Sequence, residues 1–334
     1  MPICVAVVGA GSWGTTVASL ASRNAPTRLW ARSKDLADQI NVEHRNGQYL
    51  RDYPLPDTLA ATCDLEEAVS NADVVVMGVP SHGFRDVLAE AAPYVRPWVP
   101  VVSLTKGLEQ GSMLRMTEVI ADLLPGHPAG VLTGPNLAKE ILAGHPAASV
   151  VAMADPVISV ELQRIFSTDI FRVYTNPDVT GCELGGTLKN VMAIAAGMGD
   201  GMGFGDNTRA ALITRGLAEL TRLGVAMGGD PMTFAGLAGM GDLVATCIST
   251  QSRNRGVGEQ LGKGRKIDEI IEEMNMVAEG VKSSKVVLAL GERHGVEMPI
   301  AQAVASVIHD GATAADAMLA LLSRQARAEL EGLR

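Results

Sequence analysis

Aromatic residues are scarce: Phe, Trp and Tyr together make up 4% of the 334 residues. Any core must therefore be built from Ala, Val, Leu, Ile and the 15 Met. The four cysteines, Cys4, Cys63, Cys182 and Cys247, stand far apart and form no Cys-x-x-Cys pair. That spacing yields neither a disulfide framework nor a metal site, and reads as reduced, buried thiols in a cytoplasmic protein. The six histidines form no recognisable pattern, and His82 is read as structural or solvent-facing. Positive charge is not in excess. A net charge of −9 argues against nucleic acid or an anionic membrane as the main partner. A small anionic ligand needs only a local cluster of Lys and Arg, so it stays open. No stretch approaches ~18 uninterrupted apolar residues, so integral membrane association is not expected. The apolar run at the start lacks the basic flank and cleavage site of a leader, and reads as a first strand.

What is present is a globular composition, 47% apolar and 19% charged, in a chain long enough for two domains. The most informative stretch is Ile3-Cys4-Val5-Ala6-Val7-Val8 running into Gly9-Ala10-Gly11-Ser12-Trp13-Gly14. A buried β-branched run followed by Gly-x-Gly-x-x-Gly and an apolar helical pattern is the fingerprint of a dinucleotide-binding turn. Gly9 permits the tight turn, Gly11 lets backbone approach a pyrophosphate, and Gly14 lets helix pack on strand. The free N–H groups at the helix start then face the ligand's negative charge.

Up to about residue 180, short β-type runs (3–8, 28–31, 74–79, 99–104, 130–133) alternate with helical patterns (65–70, 83–92, 113–124). Runs 148–153 and 171–174 extend the sheet at an edge. That alternation predicts an α/β fold, an N-terminal Rossmann-type doubly wound parallel sheet over residues 1–180. Beyond the Asn176-Pro177-Asp178 turn, one helical pattern follows another, so residues 181–334 read as a C-terminal all-α domain for substrate binding and catalysis. Loops such as Gly78-Val79-Pro80-Ser81, Leu104-Thr105-Lys106-Gly107 and Thr133-Gly134-Pro135-Asn136 end the strands where open α/β sheets bind ligands. The helical domain is expected to close over that crevice.

The second strand ends Trp30-Ala31-Arg32-Ser33-Lys34, with no acid before Asp35. An acid at that point binds the ribose 2′-hydroxyl of NAD, whereas Arg32 is placed to meet a 2′-phosphate. NADP(H) is therefore favoured, with NAD(H) tolerated. In the second half, Lys189 lies on an otherwise apolar helix, where desolvation would lower its pKa towards working pH and suit it to acid–base work. Asp242 sits in the glycine-loosened stretch Leu237-Ala238-Gly239-Met240-Gly241-Asp242-Leu243. Ser252 can cap the following helix, and Arg253 with Asn254 would offer fork and amide donors to a phosphate dianion.

Taken in order, these segments resemble the bacterial NAD(P)-dependent glycerol-3-phosphate dehydrogenases, over nearly the whole chain. The likeness rests on the glycine turn, Val79-Pro80-Ser81, Thr105-Lys106-Gly107-Leu108-Glu109, Thr133-Gly134-Pro135-Asn136-Leu137-Ala138, Glu183-Leu184 to Lys189-Asn190, residues 236–243, Ser252-Arg253-Asn254 and Val277-Ala278-Glu279-Gly280. The resemblance implies reversible reduction of dihydroxyacetone phosphate to sn-glycerol 3-phosphate for phospholipid synthesis, without a metal. It implies Lys189 as proton donor and acceptor, with Asp242 orienting it. Substrate contacts fall on Lys106, Gly134, Asn136, Lys189, Asp242, Ser252, Arg253 and Asn254. Cofactor contacts fall, besides Gly9, Gly11 and Gly14, on Ser12, Trp13, Arg32, Tyr49, Lys106, Ala138, Arg253, Val277 and Glu279. Relatives often carry Ser then Phe where this chain has Asn136 then Leu137. Two other readings stay open: a reductase of 2-ketoacids or β-hydroxyacids, needing a carboxylate receptor, and a dinucleotide sensor without turnover. Apolar faces on the helical domain suggest a homodimer.

Overall fold

The computed structural model describes residues 2–274, 278–326 and 328, and divides into two compact units, Met1–Val179 and Thr180–Arg334. In the first, ten strands occur: β1 (Val5–Val8), β2 (Thr27–Trp30), β3 (Arg45–Asn46), β4 (Leu50–Pro54), β5 (Leu59–Thr62), β6 (Val74–Met77), β7 (Val101–Ser103), β8 (Ala129–Thr133), β9 (Ala147–Met153) and β10 (Phe171–Asn176). Eight of them form one sheet in the order β10-β9-β8-β7-β6-β1-β2-β5, and β3 with β4 forms a separate antiparallel pair. Every neighbouring pair in the large sheet is parallel except β8 and β9. The segment joining those two holds only the five-residue helix Ala138–Leu142, which returns the chain beside β8 without a crossover.

Strands of unbroken Val, Ala and Met arise because both faces are covered. Val5 and Val7 join a core with Val17, Leu20, Ile40 and Phe166, while Ala6 and Val8 face Phe84, Leu88, Met116 and Ile120 on the other side. This is the doubly wound arrangement that the alternation of elements predicted. Two cysteines differ from expectation: Cys63 is exposed in the turn after β5 and Cys4 is half-buried, whereas Cys182 and Cys247 are buried.

The second unit is helical throughout its described residues. Its axis is the helix Val179–Gly201, buried at every position from Gly181 to Gly199. A helix apolar all round must be wrapped on all sides. One wrapping helix, Arg253–Gly262, touches it backbone to backbone. A Cβ on Gly197 would lie 2.0 Å from the Arg255 carbonyl oxygen, and one on Gly258 2.0 Å from that of Ile194. Gly201 and Gly262, each one turn further on, are as tightly placed. Elsewhere, Glu219 is 2% exposed and accepts hydrogen bonds from Ile300 N (2.8 Å) and Ala301 N (3.3 Å), capping the helix Pro299–His309. Burial pushes its carboxyl up to about 7, which the hydrogen bonds from Ile300 and Ala301, and less strongly the charges of Arg222 and Arg324, offset only in part. Residues Pro231–Ile248 have the length and apolar composition of a membrane-crossing helix. They are instead three short pieces, Pro231–Phe234, the wide π-type turn Leu237–Gly241 and Asp242–Ile248.

Candidate active site and dinucleotide cradle

At the C-terminal end of β1 the chain turns through Gly9, whose φ is +116° and where a Cβ would stand 2.7 Å from the Gly78 carbonyl oxygen, so there is no room for a side chain. Gly14 packs so closely that a Cβ would stand 2.0 Å from the Gly9 carbonyl oxygen. Gly11 differs from both. It is the N-cap of the helix Ser12–Ala21, a Cβ there would meet nothing within 4 Å, and no side chain caps that helix. Open space above uncapped N–H groups is what a pyrophosphate requires. Trp13 packs edge-on against Phe171 with ring centroids 6.2 Å apart, and its buried indole Nε1 has no partner among the described residues. These features fit a dinucleotide. Tyr49 is half-buried against the same core as Trp13, and its hydroxyl accepts from Gln48 Nε2 at 3.2 Å. Arg32 is exposed just past β2; Ser33 caps the helix Lys34–Glu43, with Asp35 exposed in its first turn. No acid stands at the strand end.

Further along the sheet's C-terminal edge, Thr105 Oγ1 donates to the Val79 carbonyl at 2.6 Å and Lys106 Nζ donates to the Gly134 carbonyl at 2.8 Å. Three sequence-predicted loops are thereby joined. Glu109 is gripped by Arg85 through two bonds of 2.7 and 3.1 Å, which holds its carboxyl below the usual range and fixes the loop that carries Lys106. Asn136 Nδ2 donates to Ser149 Oγ (3.1 Å), and that hydroxyl donates to the Thr133 carbonyl (2.8 Å). Asn136 Oδ1 and Thr133 Oγ1 are buried without partners among the described residues. Buried polar atoms left so cost roughly 1–3 kcal/mol each, and call for a partner such as an ordered water or a polar ligand group. Ala138 opens the short helix beyond.

In the second unit, Lys189 projects from the buried helix with 7% of its side chain exposed, against 2% for Asp242. Its Nζ lies 2.6 Å from Asp242 Oδ1 and 2.5 Å from Thr246 Oγ1. Thr246 donates its own proton to the Asp242 carbonyl at 2.7 Å, one turn back, so its oxygen faces the lysine as an acceptor. The lysine is thus half of a buried ion pair with Asp242. Gly185 makes this approach possible: a Cβ there would be 2.5 Å from the Ala238 carbonyl oxygen, in the π-type turn that leads into Asp242. Beside the pair, burial pushes the Cys247 thiol up to about 12, which keeps it protonated and inert.

Ser252 is the N-cap of Arg253–Gly262, its hydroxyl accepting from Arg255 N at 3.2 Å. Arg253 is exposed at the first helical position, whereas Arg255 is turned inward onto Asp200 (2.8 Å). Asn254 is buried; its amide donates to Asn190 Oδ1 (3.0 Å) and accepts from Gly280 N (2.9 Å). It braces the lysine's helix neighbour to the start of the helix Glu279–Arg293, where Glu279 lies half-buried. Val277 falls outside the described residues. Sequence reasoning missed Thr246, Asn46, Ser149 and Asn190's bracing role. Only Thr246 carried a signal, its i+4 spacing from Asp242.

Two descriptions of one family cover these units. The NAD-dependent glycerol-3-phosphate dehydrogenase N-terminus matches residues 4–158, and its C-terminus matches 178–319. The chain belongs to this family. It is 62% identical over 322 residues to an NAD(P)+ glycerol-3-phosphate dehydrogenase of Sphingopyxis alaskensis, covering 96% of this chain and 97% of that one. To a protein of the same name from Mycobacterium tuberculosis it is 56% identical over 329 residues, 98% and 96% of the two chains. The crystal structure of glycerol-3-phosphate dehydrogenase from Coxiella burnetii superposes with a TM-score of 0.91 at 40% identity, over 97% of this chain and 99% of that one.

Proposed function

We propose that this protein is a cytoplasmic enzyme interconverting dihydroxyacetone phosphate and sn-glycerol 3-phosphate, supplying the latter for phospholipid synthesis. NADP(H) is the favoured cofactor, and NAD(H) is accepted. The observation that carries the chemistry is the setting of Lys189: two of its three N–H bonds go to Asp242 and Thr246. Tetrahedral geometry then leaves the third N–H one direction, and we assign it to the ketone oxygen. When bound, a reduced nicotinamide would supply a hydride to the ketone carbon. As negative charge grows on the oxygen, Lys189 stabilises it and delivers the proton; in the reverse direction it takes the proton from the carbinol. Asp242 holds the ammonium in place and balances its charge.

Recognition of the phosphate falls to Ser252, Arg253 and Asn254 at a helix start, with Lys106, Gly134 and Asn136 as further substrate contacts. Gly9, Gly11, Gly14, Ser12, Trp13, Tyr49, Lys106, Ala138, Arg253, Val277 and Glu279 are assigned to the dinucleotide, and Arg32 to its 2′-phosphate. Exposed Leu319 and Leu322 on the last helix support a homodimer. The test is direct. Purified protein should consume NADPH at 340 nm with dihydroxyacetone phosphate, more slowly with NADH, and not with ketopantoate. Oxidation driven by ketopantoate and not by the phosphorylated ketone would reassign the substrate class.

A further inference from the structure

Asn46 stands three residues before Tyr49, in the segment 41–50 that resembles a cofactor contact, with no role of its own read from the sequence; it is 0% exposed, and its amide nitrogen and oxygen are both engaged at the dinucleotide turn. Its Nδ2 donates to the Ala10 carbonyl (2.9 Å) and to Thr15 Oγ1 (2.8 Å), and its Oδ1 accepts from Tyr49 N (3.1 Å). Ala10 lies between the first two glycines of the turn, and Thr15, also 0% exposed, lies in the first turns of the helix Ser12–Ala21. Tyr49 lies between β3 and β4. That ribbon is stiffened by Gly47 N donating to Gln39 Oε1 (3.0 Å) and Arg51 Nε donating to the Gly47 carbonyl (2.8 Å).

We infer that Asn46 is a positioning residue for the dinucleotide: one buried amide fastens the β3–β4 ribbon, and Tyr49 with it, to the glycine turn. Being fully buried, it touches no ligand and acts through Ala10 and Tyr49. The neutral amide is required, because a carboxylate in its place would set an oxygen against the Ala10 carbonyl with no proton to share. The pyrophosphate is common to NADPH and NADH, so Asn46 governs affinity for both alike, whereas Arg32 separates them.

This inference rests on the dinucleotide reading of the turn, and the experiment separates the two. Binding of NADPH and NADH is followed by the change in their own fluorescence, without substrate. In Asn46→Asp, both dissociation constants should rise about tenfold, the scale of one lost buried hydrogen bond, with their ratio unchanged. The KM for dihydroxyacetone phosphate and kcat at saturating cofactor should stay within about twofold. Thr15→Val should show the same pattern more weakly, and Thr15→Ser, which keeps the acceptor, should bind as wild type; this pair serves also if Asn46→Asp does not fold. Wild-type protein that binds neither dinucleotide overturns the dinucleotide reading. Wild-type binding matched by Asn46→Asp or by Thr15→Val, whatever their stability, overturns the role given to Asn46.

Discussion

Neutralising Asp242 should cost both stability and turnover, and the two losses separate in a double-mutant cycle. At 2.6 Å, with an effective dielectric constant of about 20, the Lys189–Asp242 attraction is about 6 kcal/mol before desolvation is subtracted. Asp242→Asn preserves shape and one acceptor oxygen but leaves an ammonium group buried without a counter-charge. Breaking a buried pair in this way costs about 3–5 kcal/mol. For a helical unit of this size each kcal/mol moves the melting temperature by about 2–4 °C, so a fall of at least about 6 °C is expected. Lys189→Met removes the stranded charge, so the double variant should regain about 2 kcal/mol or more relative to additivity. Urea unfolding of the full chain at pH 7, over all four members of the cycle, reads the coupling. Activity should not return: Lys189→Met lacks the proton donor, and its kcat should fall at least about a hundredfold with NADPH binding unchanged. A coupling below about 0.5 kcal/mol, ordinary for solvent-exposed pairs, would refute the buried pair as described.

Arg32→Ala should lower the NADPH-to-NADH ratio of kcat/KM by about tenfold, the scale of one charge-assisted hydrogen bond; an unchanged ratio removes the 2′-phosphate assignment. Arg253→Ala should raise the KM for dihydroxyacetone phosphate about tenfold or more while leaving the far smaller effect on kcat; an unmoved KM contradicts the phosphate role. Glu219 supplies a pH test of stability. Its folded-state value of about 7 stands above the ordinary 4.5, so the folded chain binds the extra proton between those values. Stability must therefore fall as pH rises through that window. Relative to Glu219→Gln, which has no such proton, the wild type should lose on the order of 3 kcal/mol between pH 4.5 and 7.5 in urea melts. A difference that stays flat with pH would contradict the burial argument.

The parts of the fold legible from the sequence were those where burial leaves an unbroken pattern. Val5–Val8 and Val74–Met77, covered on both faces, read directly as strands. Leu59–Thr62 did not, because a short edge strand with two central alanines has no alternation and only Thr62 as a β-branched residue to announce it. The helix Lys34–Glu43 was equally silent: it buries only Leu36, Ala37 and Ile40, and its Ser33 cap lay in a stretch read for cofactor choice. At the site, Lys189 and Asp242 stood out as charges in apolar surroundings, but their pairing spans 53 residues and depends on Gly185 admitting a neighbouring backbone. Asn46 gave no signal, since a buried asparagine and a surface-turn asparagine look alike in one sequence.

The glycine contacts between Val179–Gly201 and Arg253–Gly262 have a consequence for substrate length. Lys189 rides on one of these helices and Ser252 with Arg253 heads the other, so their separation is set by peptide groups in van der Waals contact rather than by deformable side chains. Such a spacing does not breathe as a packed Leu or Met layer does. Under the proposed assignment of Lys189 to the proton and of Ser252 with Arg253 to the phosphate, it works as a rigid gauge between the two. A three-carbon chain spans a fixed interval, and homologues one carbon longer or shorter would put their carbonyl out of the ammonium's reach.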